Sequence, residues 1–200
     1  MELDHIAIAG VTLEEASDYV ETALGVALQT GGKHDAFGTH NRLLGLADGL
    51  YLEAIAADPS APAPGRPRWF DLDNFSGPAR LTNWVCRVSD LDKALAELPL
   101  DVGAPMALSR GDLRWQMAVS ETGLLPFDNL CPALISWQGD LHPAGMLADR
   151  GCRLRRLIVS HPESHKLNDV LGVMSHVVFE AGPHGLRAEF DTPGGLRWLE

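Results

Sequence analysis

Apolar and polar positions alternate along this chain with a period that changes from segment to segment. Residues 3–9, LDHIAIA, read as a buried strand with one imidazole among apolar side chains. TLEEASDYVETALG predicts a helix: Leu13, Ala16, Val20, Ala23 and Leu24 recur at helical spacing. Thr12 and Glu15 make a capping box at its start, and Gly25 closes it. VALQTGG is a short strand running into the loop GGKHDAFG. THNRLLGL and LYLEAIA are strands joined at ADG, where Asp48-Gly49 between apolar runs signals a hairpin. The order is strand, helix and three strands.

Residues 58–80 break the pattern with Pro59, Pro62, Pro64, Pro67 and Pro78 and read as a linker, anchored to the core by Trp69 and Phe70. The order then restarts. LTNWVCRV is a strand, SDLDKALAELPL a capped short helix, and LRWQMAVS and ALISWQ are strands. Placing Leu81 on Leu3 aligns LTNWVCRVSDLDKA with LDHIAIAGVTLEEA without a gap, so that strand, cap and helix start coincide. A third, shorter pass follows: RLRRLIVS (strand), HPESHKLNDVLG (helix), then HVVFEAG, GLRAEFD and LRWLE (strands), with TPGG as a turn. The expected organisation is one α+β domain over 1–200: a first βαβββ module at 1–57, the linker at 58–80, a second module at 81–145, and a compact, degenerate third at 150–200.

Composition narrows the function. A hydrophobic fraction of 46% and a charged fraction of 22% suit a folded globular chain with a substantial core. The formal net charge of −11 argues against nucleic-acid and anionic-membrane partners, which need a basic face. Cys86, Cys131 and Cys152 form neither a disulfide framework nor a thiolate zinc site and read as indifferent thiols. The N-terminus lacks a basic n-region and an apolar h-region, and no run approaches a membrane span, so a cytoplasmic location is expected.

A repeated βαβββ unit, with His in its first strand and Glu in its fourth, resembles the vicinal oxygen chelate superfamily, which includes glyoxalase I, extradiol dioxygenases and bleomycin-resistance proteins. The resemblance is strongest to the glyoxalase-like domain branch. LDHIAIAG, GGKHDAFGTHNRLLGLADGLYLEAIA, LRWQMAV, LPF, ISW and HPAG carry it, in that order, over most of the chain. It implies curled mixed sheets, paired modules enclosing a small-molecule cleft, and a divalent metal such as zinc, nickel, iron or manganese. The metal would be held from the first and last strands of each module. The fold alone does not fix the reaction.

Strand alternation places Leu3, His5, Ala7 and Ala9 on one face and Asp4, Ile6 and Ile8 on the other. Tyr51, Glu53 and Ile55 likewise share a face. His5 and Glu53 are therefore candidate metal ligands and candidate catalytic groups, since imidazole and carboxylate both bind first-row metals. The competing reading of His5 is a hydrogen-bonded core residue. An unpaired buried Glu53 is harder to dismiss, because burying a bare carboxylate is costly. In the second module His5 falls on Asn83 and Glu53 on or near Ser136, where the family pattern wants His, Glu or Gln. Three arrangements fit: a metal held by His5, Glu53 and another group; a metal-free site in which they bind ligand or move protons; or a cleft that binds without catalysing.

His34, His40, Asn83, Arg87 and Ser136 are candidate substrate-binding residues. His40 shares a face with Arg42 and Leu44, while Thr39, Asn41 and Leu43 share the other, and the pattern does not say which meets the cleft. The family resemblance implies that His142, in HPAG, borders the cleft, whereas His161 and His165 lack an H-E-x-x-H pattern and read as surface. The expectation is an enzyme of glyoxalase-like type, an isomerase, lyase or dioxygenase with metal-assisted or acid–base chemistry on an oxygen-bearing small molecule. The alternative is a non-catalytic sequestering protein of the bleomycin-resistance type. Two modules on one chain complete a cleft without a partner, and a homodimer is compatible with that.

Overall fold

The computed structural model describes residues 1–200. The chain runs β1 (Glu2–Ala9), α1 (Leu13–Leu24), β2 (Gln29–His34), β3 (Thr39–Gly45) and β4 (Tyr51–Ala57). The order repeats as β5 (Arg80–Arg87), α2 (Leu91–Glu97), β6 (Ala104–Arg110), β7 (Leu113–Val119) and β8 (Ala133–Gln138). After a single turn, α3 (Pro143–Met146), it repeats again as β9 (Arg153–Ser160), α4 (Ser164–Leu171), β10 (Val177–Glu180), β11 (Gly185–Thr192) and β12 (Gly195–Leu199).

The first two runs build one curled, mixed sheet of eight strands, ordered β2-β3-β4-β1-β5-β8-β7-β6. In each run the first and last strands lie side by side and parallel, β1 with β4 and β5 with β8, while β1 and β5 join the halves antiparallel at the centre. A parallel neighbour needs a crossover, and the helix after each first strand begins it. The third run forms a separate four-stranded sheet, β10-β9-β11-β12. One apolar core extends through both sheets, from Leu3 and Trp84 to Leu157 and Phe190.

Local signals explain the element ends. Thr12 accepts the Glu15 amide at 3.1 Å, and Gly25, left-handed at φ 71°, returns its N–H to the Glu21 carbonyl. The turn between β3 and β4 places Ala47, Asp48 and Gly49 in the left-handed region, which explains the Asp-Gly pair.

Three features depart from the sequence expectations. Lys33 and His34 belong to strand β2 rather than to the loop that follows it. β6 was not anticipated, because APMALSR carries a proline and mostly exposed positions, as an edge strand can. His161 is buried rather than on the surface, with Nε2 3.3 Å from Asp128. The three cysteines are free and buried, and burial pushes the Cys131 thiol up to about 12. No helix is long and apolar enough to cross a membrane.

Candidate active site

β1 carries an irregularity that alternation does not reveal. Leu3 pairs with Cys86 and His5 with Val85, so Asp4 is an extra residue opposite the β5 ladder, a β-bulge. At the bulge the two adjacent side chains meet: His5 Nδ1 lies 2.7 Å from Asp4 Oδ1. The expectation that Asp4 and His5 part to opposite faces is corrected here. Asp4 is fully buried, and its other oxygen accepts Trp137 Nε1 at 3.1 Å and His142 Nε2 at 2.9 Å. Burial favours the neutral acid, but the hydrogen bonds from His142 and His5 outweigh it and hold the carboxyl well below the usual carboxylate range. The His142 Nδ1 accepts the Ala144 amide, which leaves Nε2 as its donor to Asp4.

With Nδ1 committed to Asp4, the His5 Nε2 faces Glu53, 3.6 Å from Oε2. The ring stacks on Tyr51, its register partner in β4, with centroids 4.4 Å apart. Burial, with the Asp4 and Glu53 carboxylates nearby, pushes the Tyr51 phenol well above its usual range. Glu53 itself is buried, and its Oε1 accepts Asn41 Nδ2 at 2.5 Å. His34 Nε2 stands 3.9 Å from the same oxygen.

His34 is held from both ends. Arg110 Nη1 donates to its Nε2 at 3.1 Å, so Nδ1 carries the proton and points to Thr39 Oγ1 at 3.0 Å. Burial lowers its pKa from 6.5 to about 4, the Arg110 guanidinium and His5 adding to that and Glu53 opposing. His34 is thus neutral at neutral pH.

Two glycines make this convergence possible. A Cβ on Gly31 would sit 2.0 Å from Asn41 Oδ1, and one on Gly32 would sit 2.6 Å from Arg110 Cδ. The GG of β2 is where the Asn41 amide and the Arg110 stem lie against backbone, and Gly32 N–H donates to Asn41 Oδ1 at 2.7 Å.

His5, His34, Asn41, Tyr51, Glu53 and Arg110 enclose one side of a cavity of about 30 Å³. Trp115, Met117, Ile135 and Trp137 form the opposite wall, and Trp69 and Phe70 close it. A space of this size holds about one or two waters. A larger cavity of about 590 Å³ lies beyond Phe70, between the Asp71–Phe75 loop and the third module. Charged groups of the larger one such as Asp128, His184 and Arg187 are exposed, whereas His5, His34, Tyr51 and Glu53 of the small one are buried.

Of the residues singled out in the sequence, the structure brings His5, His34 and Glu53 together. It does not bring the other four to this cavity. His40 neighbours Asn41 in β3, so its side chain takes the opposite face, and its Nε2 is buried without a partner. Asn83 is buried and donates to the Asn129 carbonyl at 3.4 Å. Arg87 binds Glu2 at 3.1 Å and the Gly49 carbonyl at 3.0 Å. Ser136 lies between the cavity-lining Ile135 and Trp137 and so points away, towards the Ser89 carbonyl at 3.5 Å. Register also moves the counterpart of Glu53. Ala7 pairs with Glu53 as Val85 pairs with Ala133, so the equivalent position in the second run is an alanine. Asp4, Asn41 and Arg110 were not singled out. The bulge hides the first, the undecided face of β3 the second, and the unforeseen strand β6 the third.

The donor set does not fit a divalent metal. His5, His34 and Glu53 do converge, but most of their ligating lone pairs are already engaged. The His34 Nε2 lone pair takes an Arg110 hydrogen bond, Glu53 Oε1 takes the Asn41 amide, and the facing wall offers Met117, Ile135 and two tryptophans. That leaves His5 Nε2 and Glu53 Oε2, beside a guanidinium cation that disfavours a second cation.

The closing segment depends on Gly123. Its carbonyl accepts the Asp71 amide at 3.0 Å, its φ is 78°, and a Cβ there would lie 2.2 Å from the Arg68 carbonyl. Gly123→Ala is expected to destabilise the chain by about 1–3 kcal/mol. It should also push the Arg68–Asp71 segment outward, raising acrylamide quenching of tryptophan; unchanged quenching would show that Trp69 is held independently of Gly123.

Comparison with known proteins fits this architecture. No curated protein matches the chain. Among solved structures it is similar to a hypothetical protein from Staphylococcus aureus, at 14% identity over 92% of this chain and 86% of that chain, with a TM-score of 0.66. It is also similar to methylmalonyl-CoA epimerase from Mycobacterium tuberculosis, at 19% identity over 70% of this chain and 89% of that one, with a TM-score of 0.44. The family described as Glyoxalase-like domain matches residues 3–171. With its βαβββ runs curled around a cleft, the chain belongs to the glyoxalase-like domain family.

Proposed function

We propose that this protein is a metal-independent acid–base enzyme that moves a proton at a carbon beside a carbonyl, in an isomerase, epimerase or lyase reaction on a small molecule. The observation that carries this reading is the buried Asp4–His5–Glu53 array. Asp4 fixes the His5 tautomer by accepting from Nδ1 and leaves the Nε2 lone pair facing the cavity. When Nε2 takes a proton from carbon, the bond's electron pair moves onto the carbonyl oxygen and His5 becomes imidazolium. Asp4 at 2.7 Å and Glu53 at 3.6 Å both stabilise that cation. Returning the proton to an adjacent atom of the enolate gives an isomer, and protonation of the same carbon on its opposite face gives an epimer. Expulsion of a group from the next carbon with its bonding pair, which takes up the proton, gives the lyase product. None needs an external oxidant or metal. The gap of 3.6 Å between Nε2 and Glu53 exceeds a direct hydrogen bond, so neither base is quenched by the other. The single cleft would be completed within one chain, from the first two modules.

The test is proton NMR of hydroxyacetone and 2-oxobutanoate in heavy water with the purified, chelator-treated protein. Enzyme-dependent deuterium uptake next to the carbonyl is expected, with His5→Gln slowing it about a hundredfold or more. Absence of uptake above buffer, or uptake unaffected by His5→Gln, would overturn the assignment. Saturable binding of either compound without exchange would instead identify a sequestering protein, a reading favoured by the wholly apolar second wall.

A further inference from the structure

Arg110 is unusual in how it is kept. It reaches from the end of β6 across to β2 and β3, the opposite edge of the eight-stranded sheet, and lines the cavity. Its Nη1 donates to His34 Nε2 at 3.1 Å and to Asn41 Oδ1 at 3.3 Å. Its Nη2 and Nε have no partner in the protein, and no carboxylate oxygen lies within 4 Å of it, although Glu53 is in the same cavity.

The reason is Asn41. Its Nδ2 donates to Glu53 Oε1 at 2.5 Å while its Oδ1 accepts from Arg110, so a neutral amide stands between the carboxylate and the guanidinium. The other neighbour, His34, is neutral and presents only a lone pair. A half-buried guanidinium in a chain of net charge −11 is thus left with an unneutralised charge and one unused edge, formed by Nε and Nη2. A planar guanidinium edge matches a carboxylate through two parallel N–H···O bonds.

We propose that Arg110 binds a carboxylate of the substrate, so that the small molecule processed at His5 is a carboxylic acid anion, anchored by Arg110 with its reacting carbon over Nε2. This rests on the acid–base reading for the reaction, but the binding of the anion stands apart from it. The Arg110 stem lies on Gly32, where a Cβ would sit 2.6 Å from Cδ, which makes the position of the guanidinium sensitive to that glycine as well as to Arg110 itself.

The probe is formate, with formamide as its uncharged counterpart, at constant ionic strength. Trp69, Trp115 and Trp137 line the cavity, so intrinsic fluorescence reports occupancy. Formate should give a saturable change that formamide does not. Arg110→Gln is expected to weaken formate binding by about tenfold or more, the loss of a bidentate charge-assisted contact. Gly32→Ala, which keeps the charge and displaces the stem, should weaken it as well and serves if Arg110→Gln does not fold. Saturable formate binding by a parent protein that shows no deuterium exchange counts against the acid–base reading alone and leaves the carboxylate site standing. Equal responses to formate and formamide, a non-saturable formate response, or binding unchanged in a folded Arg110→Gln or Gly32→Ala protein would overturn the proposal.

Discussion

Asp4→Ala is expected to cost about 3–5 kcal/mol of folding stability, measured by urea denaturation at neutral pH. Asp4 is the single acceptor for three groups that converge on it: His5 Nδ1, His142 Nε2 and Trp137 Nε1. Its removal orphans three donors in a buried place at once, and each buried unsatisfied donor carries a desolvation penalty of about 1–3 kcal/mol. Partial relaxation and water entry into the vacated space bring the total below the sum. Asp4→Asn should recover little of it, because an amide offers one oxygen where two are used and turns its NH₂ towards a donor. The variant should also lose proton exchange, since His5 is then free to choose its tautomer. A loss below about 1 kcal/mol would mean that the three partners find other acceptors and that the carboxylate does not organise the site.

The second large effect is a fall in stability on mild acidification. The His34 pKa is about 4 in the folded protein against 6.5 as the free side chain. Between those values the unfolded chain binds a proton that the folded chain does not, so stability falls as pH drops from 6.5 towards 4 and the contribution levels off below 4. The separation corresponds to about 3 kcal/mol. Asp4 extends the trend to lower pH. Its folded pKa is depressed, so the stability it contributes is present above the ordinary carboxylate range and is lost as pH falls through the folded value. Denaturation midpoints taken across the window should show the decline for the parent protein and a shallower one for His34→Gln, whose side chain does not titrate. Parallel curves for the two proteins would show that His34 is not held neutral by its surroundings.

What was legible in the sequence was what repeats locally. Thr12 and Gly25 bound α1 as expected, Asp48-Gly49 turns between β3 and β4, and the His5 and Glu53 faces meet because alternation in β1 and β4 survives into the register. The family resemblance carried the curled sheet. The rest depended on events with no local signature. One extra residue in β1 turned Asp4 to the same side as His5, and alternation cannot encode a bulge. Arg110 reaches its partners His34 and Asn41 only because the far edges of the sheet curl towards each other, 76 and 69 residues away in sequence. Ser136 was selected by laying one module on another, and the short offset between Ala133 and Ser136 moved the side chain to the other face.

The sheet ends at β2 and β6, and no backbone ladder joins those two edges. The curl is therefore a clasp rather than a closed ring. The side-chain hydrogen bonds that fasten it on this side come from Arg110, which also sits on Gly32, while His34 and Trp115 meet edge-on beside it. Widening the cavity from its present one or two waters to the size of a substrate requires no strand to be unzipped. The Arg110 hydrogen bonds can be released by a rotamer change, on the timescale of side-chain motion rather than of local unfolding. An anion on the free Nε and Nη2 leaves the two Nη1 bonds in place, so the same arginine holds the ligand and the seam together.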